Sequence, residues 1–181
     1  MPLFRKTVPE DPLIIAMAGV RLGVRVLILV GDDAELPSDV AAKVGLSGLV
    51  VAAAQSEQAA ARVGERATRR GVLVETTVLT ARVPYEDQSF DLVIADDRPK
   101  PAGQRTVQAV LAEAFRVLKI GGRLIVLRAA PRVGVLHSRS EEVSEKLAAS
   151  FLDTLSKTGF RAVREIATRE KTTFVEAARP R

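Results

Sequence analysis

The 181-residue chain contains no cysteine, no tryptophan, one histidine and one tyrosine. The lack of cysteine excludes disulfides, thiolate metal sites and cysteine nucleophiles. A single histidine, His137, argues against a metal site built from several histidines and against a Ser-His-Asp triad. Charged residues interrupt every apolar stretch before it reaches the roughly 18 residues of a membrane-spanning helix. The opening residues MPLFRKTVPEDP lack the apolar segment of a signal peptide, so we expect a cytoplasmic protein.

The composition is that of a globular domain with a mildly basic surface. Hydrophobic residues make up 47% and charged residues 27% of the chain, and the formal net charge is +5. The basic residues are interspersed with acidic ones, so the sequence gives no specific nucleic-acid signal. At this length we expect a single domain over residues 1–181, with an N-terminal helix and lead-in over 1–24.

Short runs rich in β-branched residues alternate with helical patterns along the chain. The run RVLILV at 25–30 is apolar throughout, as is typical of a strand that is buried on both faces of a parallel sheet. The predicted strands cover 25–30, 48–53, 73–79, 91–95 and 123–127, followed by an antiparallel hairpin of 162–168 with 172–177. The predicted helices cover 11–22, 37–44, 55–70, 106–118 and 140–158. This order predicts an α/β fold with a doubly wound seven-stranded sheet, mostly parallel.

Two longer segments and the C-terminal end carry a family resemblance. VPYEDQSFDLVIA at 83–95 and EAFRVLKIGGRLIVL at 113–127 resemble class I S-adenosylmethionine-dependent methyltransferases, most closely the ubiquinone/menaquinone biosynthesis branch. The residues GFR at 159–161 and TFVE at 173–176 are similar to the terminal hairpin of that family. The likeness extends from about Val24 to the C-terminus, and it implies a Rossmann-like methyltransferase sheet.

The physical content of these motifs is mainly structural. We expect Phe90 and Leu92 to enter the core, with Asp91 at the start of the strand. Gly121 and Gly122 are expected to provide positive φ angles in a tight helix-to-strand turn. A fold of this kind does not fix an activity, so function has to be judged from the site.

The resemblance implies that S-adenosylmethionine binds at the carboxyl ends of the first four strands. The residues of this chain at those positions are Gly31, Asp32, Asp33, Ala54, Gln55, Thr80, Ala81 and Asp96. Several depart from the family pattern. Only Gly31 matches the glycines of the loop after strand one, and Ala54 stands where the family has an acid that binds the ribose hydroxyls. Asp32 and Asp33 have a second interpretation, as caps of the short helix that follows.

Asp96 and His137 are the candidate catalytic residues. Asp96 and Asp97 follow strand four, on the side where the family binds its acceptor, and a carboxylate there can serve as a general base or contact a cation. The alternative is a solvated turn before Arg98. His137 follows strand five, and its alternative is an ordinary surface residue.

Three functions stay open at this stage. The first is S-adenosylmethionine-dependent methyl transfer to an unspecified acceptor. The second is a catalytically inactive binding or assembly partner with the same fold, and the third is the same pocket with a different nucleoside-type ligand. No segment is long enough to form a lid over a small substrate, so either the substrate is large, a homodimer or a partner subunit completes the pocket, or there is no substrate. A nicotinamide dehydrogenase is disfavoured because no GxGxxG follows a strand.

Overall fold

A single sheet of seven strands, flanked by helices, organises the part of the chain that the computed structural model describes, residues 12–29, 34–80, 82–98, 107–130 and 139–181. The strands are β1 (Arg25–Leu29), β2 (Leu49–Ala54), β3 (Glu75–Val78), β4 (Phe90–Asp97), β5 (Leu118–Ala129), β6 (Arg161–Arg169) and β7 (Thr172–Ala178). The helices are α1 (Pro12–Ala18), α2 (Glu35–Val44), α3 (Glu57–Arg70), α4 (Val107–Val117) and α5 (Arg139–Lys157).

The strand order is β3-β2-β1-β4-β5-β7-β6. Neighbouring strands from β3 to β5 pair in parallel, whereas β7 pairs antiparallel with both β5 and β6. The predicted doubly wound sheet with its terminal hairpin is therefore confirmed. The chain order reverses between β1 and β4, and ligands of such sheets bind at that reversal, outside the carboxyl ends of the strands.

The central strands are buried on both faces, as their continuous apolar pattern predicts. In β1, no residue from Val26 to Leu29 is more than 4% exposed. Alternate β1 residues belong to two separate cores: Val26 and Ile28 pack on the side of α1 and α2, Leu27 and Leu29 on the side of α4 and α5. Phe90 and Leu92 are buried as expected. Burial on both faces is what holds the strand ends, and hence the candidate site, in fixed positions.

Some boundaries differ from the sequence-based expectation. The first helix ends at Ala18, four residues early, because Gly19 takes a left-handed φ of 61°. The fifth strand begins at Leu118, so the expected turn lies within the strand. There only Gly121 has a positive φ, of 76°. Gly122 is required for a different reason, because a β-carbon there would lie 2.8 Å from the carbonyl oxygen of Lys119.

The helix termini that the sequence marked are largely as expected. Ser56 caps α3, where its hydroxyl accepts a hydrogen bond of 3.2 Å from the Ala59 N–H. Gly71 ends the same helix in the left-handed conformation. Within the described residues, no helix combines the length and the apolar character needed to cross a membrane.

Candidate functional site

Four of the nine predicted site residues can be placed. Gly31, Asp32, Asp33, Ala81 and His137 lie outside the described residues, and their roles stay predictions. The others lie at the carboxyl edge of the sheet, by which we mean the ends of β2, β3, β4 and β5. They are Gln55 and Thr80, which follow β2 and β3, Ala54, which is the last residue of β2, and Asp96, which lies inside β4 because that strand extends two residues further than expected, to Asp97.

The end of β2 offers little charge or polarity. Ala54 is fully buried and packs with Ala59 and Ala60 at the start of α3. Its carbonyl oxygen accepts a hydrogen bond of 2.6 Å from the Leu79 N–H, which joins this strand end to the residues after β3. Gln55 follows and is exposed. The polar side chain nearest the end of β2 is thus an amide, where a carboxylate is expected from the family pattern.

Thr80 lies beside this strand end, because β2 and β3 pair in parallel up to Ala54 and Val78. It is exposed, and its hydroxyl donates a hydrogen bond of 2.5 Å to the Arg82 carbonyl oxygen. The sheet therefore brings Gln55 and Thr80 to adjacent strand ends, as the sequence predicts. Both are neutral groups that can hydrogen-bond to hydroxyls or to a base, at about 0.5–1.5 kcal/mol for each bond.

Asp96 forms a bidentate ion pair with Arg98 at the end of β4. Arg98 donates from Nε to Oδ1 at 2.9 Å and from a terminal nitrogen to Oδ2 at 2.8 Å. The Asp96 side chain is fully buried, so both of its oxygens face partners and not solvent. A bidentate pair of this kind is strong and geometrically specific. The catalytic role of Asp96 stays a prediction, and in this arrangement its carboxylate orients Arg98.

Asp97 is in a different situation, although it is the next residue. Its side chain is 42% exposed, and its Oδ2 lies 3.9 Å from Nε of Arg128. Burial raises the pKa of Asp97, the Arg128 charge opposes that effect, and the neighbouring Asp96 adds to it, leaving the pKa above its usual value. A carboxylate that is accessible, weakly paired and of raised pKa is suited to accept a proton.

Sequence reasoning missed the surroundings of Asp97. Arg128 reaches it because β4 and β5 pair in parallel with Asp97 opposite Arg128. The Arg128 guanidinium in turn lies over the ring of Phe151 in α5, 4.3 Å from its centroid. The signal that could have found Arg128 was its place near the end of a predicted parallel strand next to β4. Phe151 had no such signal, since the packing of a helix on a sheet is not encoded by local spacing.

The comparisons with known proteins agree on one family. The sequence profile described as "Methyltransferase domain" matches residues 34–126. The ubiquinone/menaquinone biosynthesis C-methyltransferase of Hydrogenovibrio crunogenus is 38% identical over 120 residues, which cover 62% of this chain and 45% of that protein. Its counterpart in Bordetella parapertussis is 39% identical over 118 residues, 62% of this chain and 43% of that protein. The matches thus span less than half the length of these relatives.

Solved structures extend the likeness to nearly the whole chain. A SAM-dependent methyltransferase from Aquifex aeolicus superposes with a TM-score of 0.73 at 22% identity, covering 92% of this chain and 87% of that one. A methyltransferase structure from Bacillus halodurans gives 0.70 at 17% identity, covering 93% and 97%. At these identities the superpositions establish the fold, and the sequence profile establishes the family.

S-adenosylmethionine is the cofactor that these findings imply. The described carboxyl edge fits its nucleoside part through neutral hydrogen-bonding groups. The buried Ala54 leaves no bulky side chain at the end of β2, and Gln55 and Thr80 are both exposed beside it. Among the residues that the structure describes, no three His, Cys, Asp or Glu side chains form a cluster that could hold a metal ion.

Proposed function

Because this chain belongs to the methyltransferase-domain family, we propose that it transfers a methyl group from S-adenosylmethionine to an acceptor nucleophile. The family match over residues 34–126 carries the proposal, since it spans β2, β3 and β4 with the polar residues at their carboxyl ends. Bound S-adenosylmethionine supplies a methyl group activated by its sulfonium. The protein supplies position, which alone lowers the barrier of a two-reactant step substantially.

We assign the described residues to two roles, binding of the cofactor and proton transfer. Gln55 and Thr80 hydrogen-bond the nucleoside, in place of the family's charged contact at Ala54. Asp97 accepts the proton that the acceptor nucleophile gives up, because its carboxylate is accessible and its pKa is raised. Asp96 holds Arg98 in place beside it. A base of this kind typically contributes about 10²–10⁴-fold to the rate.

Carbon acids are the acceptor class to assay first. The curated relatives are named as C-methyltransferases, and removing a proton from an activated carbon or its enol requires a base such as Asp97. The cytoplasmic location and the homodimer or partner subunit predicted from the sequence stay predictions beside this proposal.

A second function, binding without catalysis, is favoured by one specific observation. The Ala54 side chain supplies no acceptor where the family has its ribose contact, and the carboxylate of Asp96, in β4, is already engaged by Arg98. An assembly partner that keeps the fold and loses turnover would show this pattern.

Calorimetric titration with S-adenosylmethionine and S-adenosylhomocysteine, followed by a methyl-transfer assay with labelled cofactor, separates the two functions. Binding at micromolar strength together with transfer to a carbon acid supports the methyltransferase. Binding without transfer to oxygen, nitrogen or carbon acceptors favours the inactive partner. Absence of heat at millimolar ligand, from protein with a cooperative thermal transition, contradicts the proposed methyl transfer.

A further inference from the structure

The amino edge of the sheet, opposite the candidate site, carries an exposed apolar surface with unpaired cations. Leu22, Leu46 and Leu73 are 74%, 88% and 76% exposed. Each lies in a connection from a helix to the start of a strand, before β1, β2 and β3 respectively. Because these strands are parallel, the three connections meet at one edge. We call the three leucines, together with Arg21, Lys43 and Arg69, the amino-edge patch.

The three leucines lie close together around one groove. Leu46 and Leu73 both line a cavity of about 460 Å³, whose other walls are mostly alanine, valine and glycine from α2, β2 and the connections before β2 and β3. Gly45 also lines this cavity, and Cδ1 of Leu22 lies 2.8 Å from the position that a β-carbon on Gly45 would occupy. Isolated exposed leucines need no explanation, but neighbouring ones around an apolar groove mark an interaction surface.

Three exposed cations accompany the leucines, with one carboxylate in the groove lining. Arg21, Lys43 and Arg69 are exposed, and none of them forms an ion pair with any residue that the structure describes. Arg70, by contrast, pairs with Asp39. The one acid in the groove lining, Glu75, accepts a hydrogen bond from the Tyr85 hydroxyl at 3.1 Å. That hydroxyl is neutral, so Glu75 keeps its negative charge, and an anionic partner would meet three cations and one carboxylate beside the leucines, a net charge of +2.

We propose that the amino-edge patch binds the surface of an anionic phospholipid bilayer. The leucines protrude from three separate connections, and a bilayer receives separate protruding side chains without having to match their shape. A protein partner would need a complementary pocket for each of them. Proteins that bind at a membrane surface commonly combine leucines with cations, because apolar side chains enter the headgroup boundary while Lys and Arg attract anionic lipid.

A second copy of this chain is a poorer occupant. The chain has a net charge of +5, so a face-to-face contact would bring the same three cations together. Docking by the amino edge also leaves the carboxyl edge, with Gln55, Thr80 and Asp97, directed away from the lipid. Binding to the bilayer and binding of the cofactor are then independent properties.

The test is co-sedimentation of the full chain with vesicles of phosphatidylcholine and phosphatidylglycerol in equal amounts, compared with vesicles of phosphatidylcholine alone. We expect binding to the mixed vesicles that weakens with salt. Replacing Lys43→Gln and Arg69→Gln together lowers the partition coefficient about 25-fold, at about fivefold for each cation. Leu46→Ser with Leu73→Ser lowers it by at least about tenfold.

A matched control comes from the other end of the sheet. Arg161→Gln with Arg169→Gln removes the same charge from exposed positions on β6, at the opposite end of the sheet from β3, and leaves the partition within about twofold. The thermal midpoint and calorimetric cofactor binding report that every variant is folded.

Three outcomes overturn the proposal. The first is the absence of binding to mixed vesicles. The second is equal loss in the patch and β6 variants, which would show unspecific charge attraction. The third is a lipid-independent dimer, detected by sedimentation, that the leucine substitutions dissociate, which would assign the patch to a second copy of the chain.

Discussion

The two edges of the sheet use their carboxylates differently. At the amino edge, Asp91 accepts hydrogen bonds from the Arg25 N–H at 2.9 Å and from Lys119 at 2.6 Å, and so joins the starts of β1, β4 and β5. At the carboxyl edge, Asp97 is half exposed, and its Oδ2 lies 3.9 Å from Nε of Arg128. Acids with close partners stabilise the fold, whereas a loosely paired acid on the ligand side is available for chemistry.

A network of hydrogen bonds and ion pairs centred on α4 also supports the amino ends of β4 and β5. Glu113 in α4 is buried, accepts the Val83 N–H at 2.7 Å, and pairs with Arg116 at 2.5 Å. Arg116 also contacts Asp87 and the Tyr85 carbonyl oxygen. The part of the chain that resembles the family at 113–127 is therefore mainly a structural signature. This comparison predicts that substitutions at the two edges have separable effects.

The largest effect is expected from Asp97→Asn. Removing the base lowers kcat by about 10³-fold, in the middle of the usual range for general bases, while calorimetric cofactor binding is retained. Single-turnover methyl transfer to a carbon acid, measured against pH, tests this. Asp96→Asn is the matched variant: it weakens a buried ion pair and should reduce stability more than Asp97→Asn does. Equal kcat for the wild type and Asp97→Asn would contradict the assignment of the base.

Glu113→Ala is expected to affect folding and not chemistry. It leaves the Val83 N–H without an acceptor and Arg116 without its closest partner, which should cost about 3 kcal/mol of unfolding free energy. Urea unfolding measures the change. Glu113→Gln keeps an acceptor for Val83 and should cost less, and Asp87→Asn, at an exposed position, should stay within about 1 kcal/mol. A stable Glu113→Ala protein with weakened cofactor binding would reverse the comparison.

Gln55→Ala is expected to weaken cofactor binding modestly. Loss of one neutral hydrogen bond of about 0.5–1.5 kcal/mol corresponds to roughly a two- to twelvefold rise in Kd. Calorimetry with S-adenosylhomocysteine measures it. Gln58→Ala, at the second residue of α3 and also exposed, serves as the control and should leave Kd unchanged. An unchanged Kd in Gln55→Ala would remove this residue from the site.

The smallest effect is expected on stability when the pH is lowered and Asp91, at the amino edge, is protonated. Burial alone would raise the pKa of Asp91, but hydrogen bonds from Lys119 and the Arg25 N–H outweigh it and hold the pKa below its usual value. Stability from this group is then fully present above the unfolded-state pKa of about 4 and is lost as the pH falls through the lower folded-state pKa. Thermal midpoints between neutral and acid pH, with Asp91→Asn as reference, should converge at low pH. Curves that stay parallel down to low pH would show that ionisation of Asp91 contributes no stability.

The sequence predicted the order of elements because that order depends on local patterns. Continuous apolar runs such as 25–30 indicate buried parallel strands, and capping residues such as Ser56 and Gly71 mark the ends of α3. The errors of the sequence-based prediction were also local. The first helix stops at Ala18 because a left-handed glycine follows, and the positive φ expected at Gly122 is found at Gly121 alone.

The sequence alone determined the fold class, the family resemblance and the positions at the strand ends, because periodicity and motifs depend on residues that are close together along the chain. The tertiary structure decided how those positions differ. Asp96 and Asp97 are adjacent in sequence and both follow the same apolar run. Only the packing of the strand pairs one with Arg98 and leaves the other exposed opposite Arg128. In the same way, Leu22, Leu46 and Leu73 are far apart along the chain, and parallel strand pairing brings them to one edge.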